Sequence, residues 1–228
     1  MKNIFLLFAF VSISFTTFAQ ENTFSTAKDS DPQATAILEK LRTRYESFKS
    51  MSADFSLTLE IPDEMKEVQQ GKLVQKGDKY RLDLETQSIY NDGNAIYLHL
   101  KNNNEVQIND IPSEEEAEEA GILSPRDILR IYEKGDYVYA LTNQYAKGGK
   151  LVQEIEFKPI DKDSEYAKLR LAVDKKTNDI VNIIAFSKDN SRFTLKINKL
   201  TPNPTFADTY FKFDESKFPG VYVEDLRE

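Results

Sequence analysis

SADFSLTLEI, residues Ser52 to Ile61, decides how the rest of the chain is read. Ala53, Phe55, Leu57, Leu59 and Ile61 alternate there with Asp54, Ser56, Thr58 and Glu60. Successive side chains of an extended strand point to opposite faces, so the alternation predicts a strand with one buried face. The spacing just before it is different. Asp31-Pro32 offers an N-cap and a first-turn proline, and Ala34, Ile37, Leu38, Leu41, Tyr45 and Phe48 follow as one helical stripe. An amphipathic helix from Pro32 to about Lys49 therefore hands over to a strand as the period changes from 3.6 to 2.

Downstream the period of two persists. KLVQK carries Leu73, KYRLDLE carries Tyr80, Leu82 and Leu84, and AIYLHL carries Ile96, Leu98 and Leu100; QSIYN and EVQIN complete this half. Gly77-Asp78, Asn91-Asp92-Gly93 and Asn102-Asn103-Asn104 punctuate them as hairpin turns. YVYALTNQY, LVQEIEFK, AKLRLAVD, IVNIIAFS and RFTLKINKL repeat the style in the second half. About eleven short strands at hairpin spacing predict a mainly β fold, an antiparallel meander curled into a barrel or half-barrel. One long insertion interrupts them. Within it Ser124-Pro125 reads as cap and first-turn proline, and Ile128, Leu129, Ile131 and Tyr132 make an apolar helical turn. A helix there, with the N-terminal one, is expected over the open mouth of the sheet as a lid.

The N-terminus speaks to compartment. Lys2 precedes a continuous apolar run from Ile4 to Phe15, and Thr17-Phe18-Ala19 places small residues at the positions that precede a cleavage site. Residues 1–19 are expected to be a signal peptide, 20–31 a flexible leader, and 32–228 a single domain. With no cysteine, neither a lipid-modified N-terminus nor a disulfide is available. The net charge of −8 argues against nucleic acid and anionic headgroups as main partners.

Catalytic material is thin. The chain holds one histidine, no cysteine, and no G-x-S-x-G, P-loop or G-x-G-x-x-G signature. A triad through His99 would need Asp92 or Asp83 as orienter, and no nucleophile elbow accompanies it. His99 instead shares a strand face with Tyr97, opposite Ile96 and Leu98, and is expected as half of a partly exposed surface pair. Asp161 to Glu165 has alternate acids but lacks the glycine and length of an EF-hand loop, and reads as a solvated loop. The acidic run Glu114 to Glu119 reads as a solvated flank able to dock a basic partner. No enzyme, metal or cofactor is expected. The candidate site is a cavity on the inward strand faces, lined by Phe55, Leu57, Leu59, Leu73, Tyr80, Leu82, Leu84, Ile96 and Leu98.

Six segments in order carry a family resemblance: SMSADFSLTLE, GKLVQKGDKYRLDL, IYNDGNAIYLHLKNNNEVQI, LSPRDILRIYEKG, KLRLAVDKKTNDIVNIIAFSKDNSRFTLKINKL and FKFDESKFPGVYVEDL. Together they resemble the LolA family of periplasmic outer-membrane lipoprotein carriers over about residues 32 to 228. The resemblance implies an open antiparallel half-barrel of about eleven strands, covered by the N-terminal helix and inserted lid helices. It implies a periplasmic, monomeric chaperone that shelters the acyl chains of lipoproteins. The implied partners are acylated lipoproteins, an inner-membrane lipoprotein-releasing ABC transporter and an outer-membrane acceptor. Tyr80, Leu82 and Leu84 match cavity-lining positions of the family. Lys76-Gly77 stands where members often carry Arg-Pro, whose arginine helps hold the lid shut, which makes Lys76 a lid residue beside Ile128, Leu129 and Tyr132. Two other readings use the same residues: a periplasmic binding protein for a fatty acid or glycolipid, and a lipid-acting hydrolase.

Overall fold

The computed structural model describes residues 26–113 and 132–227. Helix α1 spans Pro32–Glu46, three residues short of the expected end. Its N-terminus is capped as the sequence predicts, Asp31 Oδ1 accepting from the Gln33 amide at 2.8 Å with proline next in line. Twelve strands follow: β1 (Ser50–Glu60), β2 (Glu67–Lys76), β3 (Lys79–Leu84), β4 (Gln87–Asn91), β5 (Ile96–Leu100), β6 (Glu105–Asn109), β7 (Tyr137–Lys147), β8 (Lys150–Pro159), β9 (Tyr166–Asp174), β10 (Ile180–Ser187), β11 (Arg192–Pro202) and β12 (Tyr222–Asp225).

They form one sheet in the order β12-β6-β5-β4-β3-β2-β1-β11-β10-β9-β8-β7. Two hairpin meanders, β2 to β6 and β7 to β11, are thus joined where β1 pairs with β11, and the ends do not close. Of the barrel or half-barrel that the strand pattern allows, the open half-barrel implied by the family resemblance is what forms. The count is twelve because a short terminal strand, β12, adds in parallel beside β6. Register shifts at Asp54/Phe55, Leu141/Asn143, Ile180/Asn182 and Phe186/Ser187 each insert an irregularity, the kind of bulge that bends and twists a sheet. Gly148 and Gly149, both at positive φ (58° and 76°), make the tight turn between β7 and β8.

The register sorts the side chains onto two faces. On the inner face one cross-strand row runs Leu141–Ile155–Leu171–Ile183–Leu195–Leu57, from β7 to β1. Helix α1 lies on the β7–β9 end of this face, where Ala34, Ile37, Leu38 and Leu41 bury against Tyr139, Ile155, Phe157, Leu171 and Val173. Full burial of each leucine-sized side chain stabilises by about 1.5–3 kcal/mol, so this cluster is the main core. The helix is also fixed at both ends. The Asp31 amide donates to the Tyr139 carbonyl at 2.9 Å, Asp31 Oδ2 accepts from the Leu141 amide at 3.1 Å, and the Tyr45 hydroxyl accepts from the Ile180 amide at 3.1 Å. Burial pushes the Tyr45 hydroxyl up to about 12.

The outer face holds a smaller second core. The chain after β11 crosses it and places Phe213 against His99, Tyr90 and Tyr97, with Phe218 stacked on Phe213 at 5.2 Å. Phe211, Val106 and Val74 are sealed completely or nearly so. His99 shares the outer face with Tyr97, as the alternation predicts, and Tyr97 is half-buried as expected, but His99 is not. His99 retains only 4% of its surface, because Phe213 (5.5 Å) and Phe218 (4.4 Å) close over it.

Candidate functional site: an inner-face trough

On the β1–β5 half of the inner face the sheet carries an apolar band of a different character. A second cross-strand row runs Ala53–Leu73–Leu82–Ile89–Leu98. Ala53 is buried, while Leu73, Leu82, Ile89 and Leu98 are all half-buried. Leu57, Leu59, Leu84 and Ile96 share the same face and the same partial exposure. Where α1 covers the sheet, inward residues such as Ile155 and Phe157 are sealed. Along this half they remain reachable. Every expected cavity residue from Phe55 to Leu98 therefore lies on one continuous surface.

Phe55 is the exception in burial, at 7% exposure, and Gly71 is the reason. Phe55, Gly71 and Leu84 are cross-strand neighbours, and a Cβ on Gly71 would stand 2.3 Å from the Phe55 ring and 2.8 Å from a Leu84 methyl. The missing side chain leaves the space that the ring occupies over Gly71. Polar groups mark the ends of the band. Tyr80 faces Asn91 across β3 and β4, and burial raises its pKa while a hydrogen bond with Asn91 opposes the rise. Gln69, Gln87, Glu105 and Gln107 edge the opposite margin and the β6 side. An apolar floor with polar margins can take a long aliphatic group lengthwise and leave its polar end outside.

Ile89, Ile183, Phe193 and Leu195 are among the residues on this face that went unnamed in the sequence reading. Their signal was the same alternation, in QSIYN, IVNIIAFS and RFTLKINKL. What was missing is the pairing that puts their odd-numbered positions opposite Leu82, Leu171, Leu59 and Leu57.

Of the expected lid residues, Ile128 and Leu129 lie outside the described residues, as does the acidic run Glu114 to Glu119. Tyr132 sits edge-on to Tyr139 at 6.1 Å, on the margin of the main core, with its hydroxyl buried. Glu133 beside it pairs with Arg42 of α1. The partners of Lys76 among the described residues lie in the C-terminal segment. Its ammonium donates to Asp208 Oδ1 at 2.7 Å and to the Phe206 carbonyl at 3.2 Å, while Lys79 takes the other Asp208 oxygen at 2.9 Å. Even-numbered residues of β2 point outward, so Lys76 reaches the C-terminal segment on the outer face. Hydrogen bonds from the two lysines hold the Asp208 carboxyl at about 2. Among the described residues no cluster of three metal-binding side chains occurs, and no helix is long and apolar enough to cross a membrane.

Comparison with known proteins agrees with this architecture. The family model described as "Outer membrane lipoprotein carrier protein LolA" matches residues 46–214. No curated protein matches the sequence. Among solved structures, an uncharacterized conserved protein from Thermus thermophilus superposes with a TM-score of 0.56 at 9% identity, over 85% of this chain and 99% of that one. The lipoprotein LppX of Mycobacterium tuberculosis gives a TM-score of 0.51 at 9% identity, over 78% of this chain and 99% of its own. A LolA superfamily protein from Nitrosomonas europaea has 15% identity and a TM-score of 0.41, over 79% and 97% of the two chains. At such identities the first two likenesses speak for the fold alone.

Proposed function

The chain belongs to the LolA family of outer membrane lipoprotein carriers, and from that premise we propose that it shelters the acyl chains of lipoproteins in the inner-face trough and carries them from the inner to the outer membrane. Supporting this most directly is the contrast within one face: sealed apolar residues under α1, half-buried ones from β1 to β5. A filled core has no reason to leave Leu73, Leu82, Ile89 and Leu98 reachable in a row. A surface that must admit and release a lipid does.

The energetics suit transfer rather than storage. Each buried methylene contributes about 0.8 kcal/mol, so a sixteen-carbon chain offers up to about 12 kcal/mol if wholly enclosed. A trough that covers an acyl chain on one side recovers only part of that, which keeps release to an acceptor within reach. In this proposal residues 1–19 are removed on export, the mature protein works in the periplasm as a monomer, and an inner-membrane ABC transporter hands over the cargo to it. Residues 124–133 would supply the cover. Its chemistry needs no reaction centre: the role is binding, not catalysis.

The test is purification from the periplasm of cells making a tagged version, followed by mass analysis of what accompanies it. An acylated protein supports the proposal. A free fatty acid or glycolipid as the sole companion would replace it with a small-lipid carrier, and esterase activity that depends on His99 would replace it with an enzyme.

A further inference from the structure

The outer face carries a second concavity, separate from the trough. Between β3–β5 and the C-terminal segment runs a cleft of two lobes, each of about 360 Å³, and Arg81, Tyr90 and Phe218 wall both. Each lobe is within the size range of small-ligand sites.

Arg81 is held in an unusual degree of order. Its guanidinium carbon lies 4.6 Å from the Tyr90 ring centre and 4.9 Å from that of Tyr210, so aromatic rings contact it from two residues. Its Nε and Nη2 donate to Asp83 Oδ2 and Oδ1 at 2.8 and 3.1 Å, and Ser88 Oγ donates to the same carboxylate at 2.7 Å. Nη1 has no hydrogen-bond partner among the described residues. A guanidinium already fixed in place can give that remaining donor to a ligand with little further ordering cost.

The charge balance says what kind of ligand. Arg81, Lys101, Lys212 and Lys217 line the lobes against two carboxylates, Asp83 and Asp214. Both carboxylates are engaged, Asp83 by Arg81 and Asp214 by Lys217 at 3.1 Å. Lys212 is exposed and forms no ion pair among the described residues. A cationic cleft on a chain of net charge −8 favours an anion. A bare oxyanion would leave most of a lobe empty, and its remaining wall mixes Phe206 and Tyr210 with the hydroxyl-bearing Thr205 and Thr209. The Tyr90 and Tyr210 rings are already engaged by Arg81, so the cleft offers ring edges and hydroxyls in place of a stacking platform for a planar base. We propose that this outer cleft binds an anionic saccharide, one or two sugar units bearing a carboxylate or phosphate, with the charged group on Arg81 Nη1 and Lys212. It is independent of acyl-chain binding on the other face.

The experiment is a two-dimensional NMR titration of the purified protein with digalacturonate, glucose 6-phosphate, the neutral galactose disaccharide and inorganic phosphate. Expected are saturable shifts confined to the cleft residues for at least one of the two acidic sugars, at least tenfold tighter than for the neutral sugar or phosphate. Lys212→Glu, an exposed change, should weaken that binding at least tenfold while leaving the melting temperature and the signals of Leu73 and Leu82 unchanged. Phosphate or the neutral sugar binding as tightly as the acidic sugars would overturn the ligand class. No saturable shift, or binding indifferent to Lys212→Glu, would overturn the site.

Discussion

Leu82→Glu separates a trough from a core. Leu82 sits mid-row, flanked by Leu73 on β2 and Ile89 on β4, and is half-buried. In the empty protein a glutamate there keeps its water, so its pKa stays at about 4.3 and folding loses about 1–2 kcal/mol. An acyl chain laid along the row would remove that water, and burying the bare carboxylate is far costlier than protonating it. Proton uptake at pH 7 against a pKa of about 4.3 costs about 3.7 kcal/mol, at about 1.36 kcal/mol per pH unit. Affinity for an acylated ligand should therefore fall on the order of five-hundredfold. Because the loss is a protonation cost, it should shrink about tenfold for each unit of pH between 7 and 5. Leu82→Gln has no proton to take up and should lose affinity with no such slope. The assay is fluorescence titration with a labelled palmitoyl peptide at pH 7, 6 and 5, each variant against wild type at the same pH, with urea melts alongside. A loss independent of pH would refute the reasoning. So would a Leu82→Glu protein that fails to fold at pH 7, which would place Leu82 in a closed core.

Other consequences follow from the same contacts. Gly71→Val must displace the Phe55 ring, since even a Cβ would stand 2.3 Å from it; thermal melts should show about 1–3 kcal/mol of destabilisation, and an unchanged melt would mean the ring has room to move. Leu38→Ala, within the α1 core at 2% exposure, should cost about 2–5 kcal/mol in urea denaturation, well above the cost of Leu98→Ala in the half-buried row. His99→Gln should cost about 1–3 kcal/mol now that two phenylalanines are seen to enclose it. Burial, with Lys101 adding, holds His99 below its ordinary pKa, so the unfolded chain takes the proton first as pH falls. Wild-type stability should then be full above about pH 6.5 and decline as pH drops through that value toward the lower folded pKa, and His99→Gln should flatten this decline. Asp208→Asn should speed amide exchange in Asp208–Phe211 without altering palmitoyl-peptide binding, because its two lysine partners tie down the outer face only.

Local patterns were enough for several features. A period of two in SADFSLTLEI and its successors specifies strands whose alternate positions share a face, since a strand has no other way to place its side chains. Asp31-Pro32 specifies the start of α1, because the cap bond is made within three residues. Hairpin turns specify antiparallel neighbours, and so the meander and the co-facial placement of Leu73, Leu82 and Leu98 were legible. What the pattern could not rank was burial. Leu82 and Leu171 look alike in sequence, and only the docking of α1 on β7–β9 seals one and leaves the other half-buried. The outer face was hidden for a related reason. Phe213 and Phe218 are more than a hundred residues from His99, and nothing near either partner announces the contact. The parallel addition of β12 beside β6 and the capture of Lys76 by Asp208 are of the same kind. Each depends on where a distant segment crosses the sheet, which is a property of the assembled chain and of no stretch within it.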